Sequence, residues 1–273
     1  FVINDAIINY LSPKNIQFYH FVFYGSPVYL FVPIYLLIKG NFKEKMQTTN
    51  IYIPLLRSLL FLPMPYITFV ALKNISLPEF TTLNMSSPLF ASLYAILLLK
   101  EKFNLFLVFS LFSGFFGVLL VVQPGFENFN PYFLLVLVGA FVITSSTVLT
   151  NKYNTVTSSI GFFIYGGIFT HLLSFVLFFI DPLMINLNTF FLIFISSFFI
   201  NTAIFLMTFA FQASQKYYSS IFCLVYIQIL WSMIIGYFIF SEYLNLYAFI
   251  GAIFIVFSGI LSIPSQYKQH KSL

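Results

Sequence analysis

The sequence predicts an all-α polytopic membrane protein of about ten transmembrane helices in two inverted five-helix repeats, with the first helix truncated. Three observations predict it. First, 60% of the 273 residues are hydrophobic and 7% are charged, where a soluble domain carries roughly 25% charged residues; mean hydropathy is +0.97. Second, apolar runs of roughly 20 residues, the length that crosses a bilayer, recur along the chain. Third, the stretch 84–122 returns 141 residues later as 225–263, placing Glu101 on Glu242 and Asn104 on Asn245.

Residues 1–11 are apolar but too short to span. Phe1, Val2 and Ile3 align with Phe141, Val142 and Ile143 inside the run 131–149, so the N-terminal half of the first helix is expected to be lost ahead of Phe1. Further runs follow at 18–38, 51–72, 80–99, 105–122, 131–149, 160–180, 190–211, 221–240 and 246–263. Pro63, Pro65 and Pro88 lie within such runs and are expected to kink them. The connections are short and leave no room for a soluble domain. The expected organisation is a first repeat over 1–124, a second over 131–265 and a cytoplasmic tail over 266–273.

Basic residues prefer the cytoplasmic side. With the C-terminus inside, Lys39, Lys43, Lys45, Arg57, Lys100, Lys102, Lys152, Lys216, Lys268 and Lys271 lie inside and only Lys14 and Lys73 outside. This predicts an inner-membrane protein with a cytoplasmic C-terminus. Phe23-Tyr24-Gly25-Ser26 matches Ile164-Tyr165-Gly166-Gly167, and Thr68-Phe69 matches Thr208-Phe209. Five helices is an odd number, so the second half enters the membrane upside down relative to the first. Inverted repeats are the architecture of alternating-access transporters.

Other classes fit poorly. The single Cys, Cys223, excludes a disulfide framework and a multi-cysteine metal site, and no cofactor is expected. The net charge of +5 is scattered over loops, so nucleic acid is not an expected partner. The 40 Phe fit the codon bias of an AT-rich genome and carry no functional reading.

Ser87-Pro88-Leu89-Phe90 with Leu99-Lys100-Glu101-Lys102, and Tyr226-Ile227-Gln228-Ile229-Leu230-Trp231 with Gly236 and Phe240-Ser241-Glu242, carry a family pattern. Asn4-Asp5-Ala6 and Leu56-Arg57-Ser58 add to it. The chain resembles the EamA-type transporters of the drug/metabolite transporter superfamily. The resemblance covers essentially the whole chain and implies ten helices in two inverted repeats, and transport of small molecules; some relatives with Asn-Asp in the first helix are S-adenosylmethionine-transporter-like. Many relatives carry an Arg in the second helix where this chain has Phe23-Tyr24-Gly25, which makes a substrate inferred through that Arg unsafe.

The candidate substrate-binding residues are Asp5, Asn84, Ser87, Tyr94, Tyr226, Gln228 and Trp231; the gating or coupling candidates are Tyr24, Arg57, Tyr165 and His171. Asp5 is the one acid inside an expected span. An ionised Asp at helix centre costs about 2.5–3.5 kcal/mol on insertion scales, so Asp5 either couples transport to a proton or cation or lies near the outer third and reaches water. Arg57 either snorkels to headgroups or serves substrate or gate. Asn84, Ser87, Ala91 and Tyr94 share a helical face, and Gln228 and Ser232 repeat it. Small polar residues at Ser87 and Ser232 fit close helix packing, whereas Gln228, Tyr226 and Trp231 fit a cavity in which rings stack on a planar or cationic substrate. Tyr24 and Tyr165 are gates or packing beside Gly25 and Gly166, and His20 is placed at an interface near a helix end. Glu101 and Glu242, each three residues before an Asn, read as loop and capping residues.

The expected function is a secondary transporter of a small organic metabolite, an amino acid, S-adenosylmethionine or similar. Proton coupling, contact with membrane lipids and a homodimer complete the expected partners. The rival readings are a polytopic membrane enzyme, which needs convergent carboxylates or a His cluster, and a channel, which needs a filter segment.

Overall fold

A computed structural model describes residues 1–99, 105–122, 129–213, 225 and 227–270. Among the described residues the regular structure is helical apart from one antiparallel bridge, Thr48 with Thr157. The helices are α1 (Val2–Leu11), α2 (Phe18–Ile38), α3 (Phe42–Met46), α4 (Tyr52–Phe61), α5 (Met64–Asn74), α6 (Leu77–Asn84), α7 (Ser87–Leu99), α8 (Leu105–Val122), α9 (Tyr132–Lys152), α10 (Ser159–Ile180), α11 (Leu187–Ala213), α12 (Ile227–Ile235) and α13 (Leu246–His270). A π-helical turn, Gly236–Phe240, follows α12.

Five segments are long and apolar enough to cross a membrane: Phe18–Ile38, Tyr52–Asn74, Tyr132–Lys152, Ser159–Ile180 and Leu187–Ala213. Shorter apolar helices occupy Phe112–Val122, Ile227–Phe240 and Leu246–Ser258. The chain is an all-α, multipass membrane protein.

Two expected runs are divided. The run 51–72 breaks between α4 and α5 at Leu62 and Pro63, because proline lacks the N–H that would continue the ladder; Pro63 instead gives its carbonyl to Ile67 N at 2.9 Å. The run 80–99 starts earlier and splits. Ser76 and Glu79 form a reciprocal capping box that begins α6 at Leu77. The break at Met85 and Ser86 then restarts the chain so that Pro88 sits in the first turn of α7, where a missing N–H is harmless.

The chain forms two compact units that do not follow the sequence halves. One contains Phe1, Ile3–Lys73 and Leu149–Gln215; the other contains Val2, Asn74–Val148 and Lys216–Leu273. Each therefore draws helices from both repeats.

In the first unit Tyr29, Leu36, Met46, Phe163 and Ile164 form a buried cluster between α2, α3 and α10. The contacts of α2 and α10 follow the repeat. A Cβ at Gly25 on α2 would lie 2.0 Å from Ser197 Oγ on α11, and a Cβ at Gly166 on α10 would lie 2.0 Å from Arg57 Nη1 on α4. At one end of this unit the segments before α4 and α10 are tied together: Thr49 N donates to Val156 O at 3.0 Å, Thr157 Oγ1 to Gln47 O at 2.9 Å and Ser158 Oγ to Lys45 O at 2.7 Å.

In the second unit α8 and α13 cross at two glycines. A Cβ on Gly117 would lie 2.7 Å from Gly251 O, and one on Gly251 would lie 2.6 Å from Gly117 O, so this backbone contact excludes larger residues. Glu242, just beyond the π-turn, accepts a hydrogen bond from Leu77 N at 2.8 Å. It thereby satisfies one of the unpaired amides at the start of α6. Asn245 accepts from Ala248 N at 2.8 Å and caps α13. Glu101 and Asn104 lie outside the described residues.

Candidate functional site

The first unit buries the chain's single arginine. Arg57, 5% exposed, sits on α4 among helices α10 and α11. Its Nη1 donates to Phe162 O at 2.5 Å and its Nη2 to Thr208 Oγ1 at 3.1 Å, while Nε has no partner. The snorkelling alternative does not apply, since the guanidinium points into the unit rather than out to a headgroup layer. Thr208 shares a repeat match with Thr68, but its bond to Arg57 has no signal in the sequence.

Beside Arg57, Tyr29 and His171 stack with centroids 4.0 Å apart and planes 18° apart. The Tyr29 hydroxyl donates to Ile164 O. Ser26 Oγ spends its proton on Val22 O at 2.8 Å, so in its contact with His171 Nδ1, also 2.8 Å, it is the acceptor. That places the proton of a neutral His171 on Nδ1. Sequence reasoning missed Tyr29, because the residue one repeat later is Thr170 and the repeat gives it no counterpart.

Asp5 is 7% exposed. Asn4 Nδ2 donates to Asp5 Oδ1 at 3.0 Å, and Ser196 Oγ donates to Asn4 Oδ1 at 2.9 Å. Asp5 thus connects to α11 at Ser196 and Arg57 connects to the same helix at Thr208. At 1.5 Å per residue these two attachment points lie about 18 Å apart along α11.

Tyr24 and Tyr165 are matched by the repeat, and each anchors a connecting segment of the other half. Tyr24 Oη donates to Leu183 O at 2.6 Å, beyond α10; Tyr165 Oη donates to Met46 O at 3.0 Å, beyond α2. His20, in the first turn of α2, is buried at 2% exposure. It accepts from Gln17 N at Nδ1 (3.1 Å), so its Nε2 donates to Asp181 O (2.6 Å), while Tyr19 Oη donates to Asp181 Oδ2 at 2.5 Å.

The second unit carries the other candidates. Ser87 Oγ donates to Asn84 O at 2.5 Å across the break between α6 and α7, and Thr144 Oγ1 on α9 donates to Ser87 O at 3.2 Å. Tyr94 bonds Ser145 through the two hydroxyls and rests against Phe141, centroids 5.6 Å apart. This polar face of α6 and α7 thus meets the hydroxyls of α9. On α12, Gln228 is half-buried, Trp231 is 54% exposed and Ser232 is fully buried with its hydroxyl on Ile229 O. Tyr226 lies outside the described residues.

Residues 1–123 match the EamA-like transporter family. The matched stretch includes Asp5, Tyr24, Arg57, Asn84, Ser87 and Tyr94. A protein named S-adenosylmethionine uptake transporter from Rickettsia bellii is 26% identical over 176 residues, 63% of this chain and 58% of that protein. One named riboflavin transporter from Brucella anthropi is 26% identical over 133 residues, 49% of this chain and 46% of that protein. The matched part of this chain spans about half the length of these relatives. A crystal structure of another protein shares the fold at a TM-score of 0.65 and 15% identity, covering 98% of this chain and 97% of that one.

Proposed function

We propose that this protein is a secondary carrier that moves a small organic metabolite across the cytoplasmic membrane by alternating access, without covalent chemistry, and with its C-terminus in the cytoplasm. The observation that carries the reading is the paired packing of Gly25 with Ser197 and of Gly166 with Arg57. In each pair a glycine of one repeat receives a side chain from the third helix of the other, as expected for interlocked inverted repeats, the architecture of such carriers. Similarity to proteins named as transporters supports it further.

The substrate class in this reading is a zwitterionic or cationic metabolite, an amino acid or S-adenosylmethionine. Asp5, buried and hydrogen-bonded by Asn4, is the coupling or cation-contacting acid. Gln228 and Trp231, on α12 of the second unit, are separate candidates for neutral-polar and aromatic contacts. Counterflow of radiolabelled amino acids and S-adenosylmethionine in proteoliposomes holding the full-length protein tests this. Exchange that Asp5→Asn and Gln228→Ala weaken, with folding intact, supports the carrier and its site. Exchange unchanged in both variants removes the site assignment, and conversion of the label to a new compound replaces the carrier by an enzyme.

A further inference from the structure

We infer that Arg57 is the docking point for a carboxylate, the anionic end of the carried molecule. The inference rests on the carrier reading and assigns a chemical class to its ligand. A guanidinium has five N–H donors and carries its charge at every accessible pH. Here two of those donors reach neutral acceptors, Phe162 O and Thr208 Oγ1. The Nε–H, fully buried, reaches none. Neutral oxygens satisfy donors but leave the positive charge unbalanced, and an unpaired charge out of water is among the least favourable arrangements a protein holds.

No acid of this unit supplies the balance. The ion pairs among the described residues are His20 with Asp181 and Lys45 with Glu44. Asp5 attaches to α11 about 18 Å from Arg57's attachment, and Asp181 follows the far end of α10, about 28 Å along the helix from Phe162. Glu44 is exposed and engaged by Lys45. The missing counter-charge therefore comes from a ligand.

The chemistry of the ligand follows from what surrounds Arg57. The guanidinium keeps its Nε–H without an acceptor, and an anionic carboxylate oxygen makes the strong, charge-assisted hydrogen bond such a donor takes. One uncompensated positive charge matches one negative charge. A phosphate dianion would remain half unbalanced, because the other described cations of this unit are exposed lysines or, for Lys45, paired. Gly166 fixes the guanidinium from behind, since its missing Cβ leaves the space Nη1 fills. Gly167, next along α10, lets the Tyr29 ring approach in the same way, within 2.7 Å of where a Cβ would stand. The stacked Tyr29 and His171 rings provide an apolar wall for the body of the molecule.

The test measures binding without transport. The thermal midpoint of the purified full-length protein is followed during titration with L-methionine and sodium acetate, with their neutral counterparts L-methioninamide and acetamide, and with sodium chloride at matched ionic strength. The expected result is a saturable rise in midpoint with a carboxylate and none with its amide. Arg57→Met abolishes that response, and Arg57→Lys weakens the apparent affinity tenfold or more. Equal responses to carboxylate and amide, an equal response to chloride, a response that survives in Arg57→Met, or no saturable response to either carboxylate overturns the proposal. Should Arg57→Met fail to fold, the carboxylate-against-amide comparison on the unaltered protein and Arg57→Lys decides. Loss of counterflow with the Arg57-dependent response intact removes the carrier reading alone; the converse removes the docking assignment alone.

Discussion

Gly166 gives Arg57 its place: a Cβ at residue 166 would stand 2.0 Å from Arg57 Nη1. One repeat earlier, Gly25 does the same for Ser197, whose Oγ would stand 2.0 Å from a Cβ there. The two contacts use equivalent helices of the two repeats, yet one admits the largest cation in the chain and the other a hydroxyl. Symmetry built the slot, and the residue that fills it differentiates the two sides.

Gly166→Ala therefore pushes Arg57 off Phe162 O and Thr208. An expected loss of about 1–3 kcal/mol, typical of overpacking, is read as a lower thermal midpoint in detergent. Gly25→Ala shows a similar loss, and adding Ser197→Gly restores stability because the obstructing atoms are Ser197 Oγ and Cβ. The same second change leaves Gly166→Ala unrelieved. Double-mutant coupling of about 0.5–3 kcal/mol for the first pair checks the assignment.

Tyr24→Phe and Tyr165→Phe each remove one hydrogen bond to a carbonyl beyond the partner helix, at Leu183 and Met46. Each is expected to cost about 0.5–1.5 kcal/mol. The two bonds share no partner, so their effects add in the double variant. A non-additive thermal midpoint would mean that the two tyrosines act through one element.

Asn4→Leu strips Asp5 Oδ1 of its donor and Ser196 Oγ of its acceptor at once. Leaving these buried groups unsatisfied is expected to cost about 1–3 kcal/mol for each. Asp5→Asn keeps an oxygen for Asn4 and is expected to lower the thermal midpoint less than Asn4→Leu does. Counterflow falls in Asp5→Asn on the proposed reading, which separates a transport role from a packing role at this residue.

Glu242→Ala removes the acceptor for Leu77 N at the start of α6. The expected loss is about 0.5–2 kcal/mol, as for other helix caps, while Glu242→Gln keeps an oxygen acceptor and loses less. Hydrogen exchange at Leu77 is the direct measurement: its amide exchanges faster in Glu242→Ala.

The sequence made the helical layout legible where apolar length and polar boundaries agree. The runs 18–38 and 160–180 coincide with α2 and α10 to within a residue at each end, because burial of roughly 20 apolar residues needs no tertiary information. It was less legible where a short-range device overrides hydropathy. The capping box of Ser76 and Glu79 starts α6 before the apolar run begins, and the break at Met85 and Ser86 divides a run expected to be one span.

The sites divide in the same way. The pairing of Tyr24 with Tyr165 and of Gly25 with Gly166 was readable from the 141-residue repeat. Their partners, Leu183 and Met46, Ser197 and Arg57, were not, since nothing in the chain order says which helix crosses which. By itself the sequence determined the all-α membrane class and the internal repeat, which follow from local apolar length and self-similarity. Only the tertiary structure decided that Arg57 is buried without an acid, that Tyr29 stacks on His171 and that Asp5 and Arg57 occupy distant parts of α11. Those relations depend on contacts between residues more than a hundred positions apart, and such contacts are set by three-dimensional packing that no local pattern encodes.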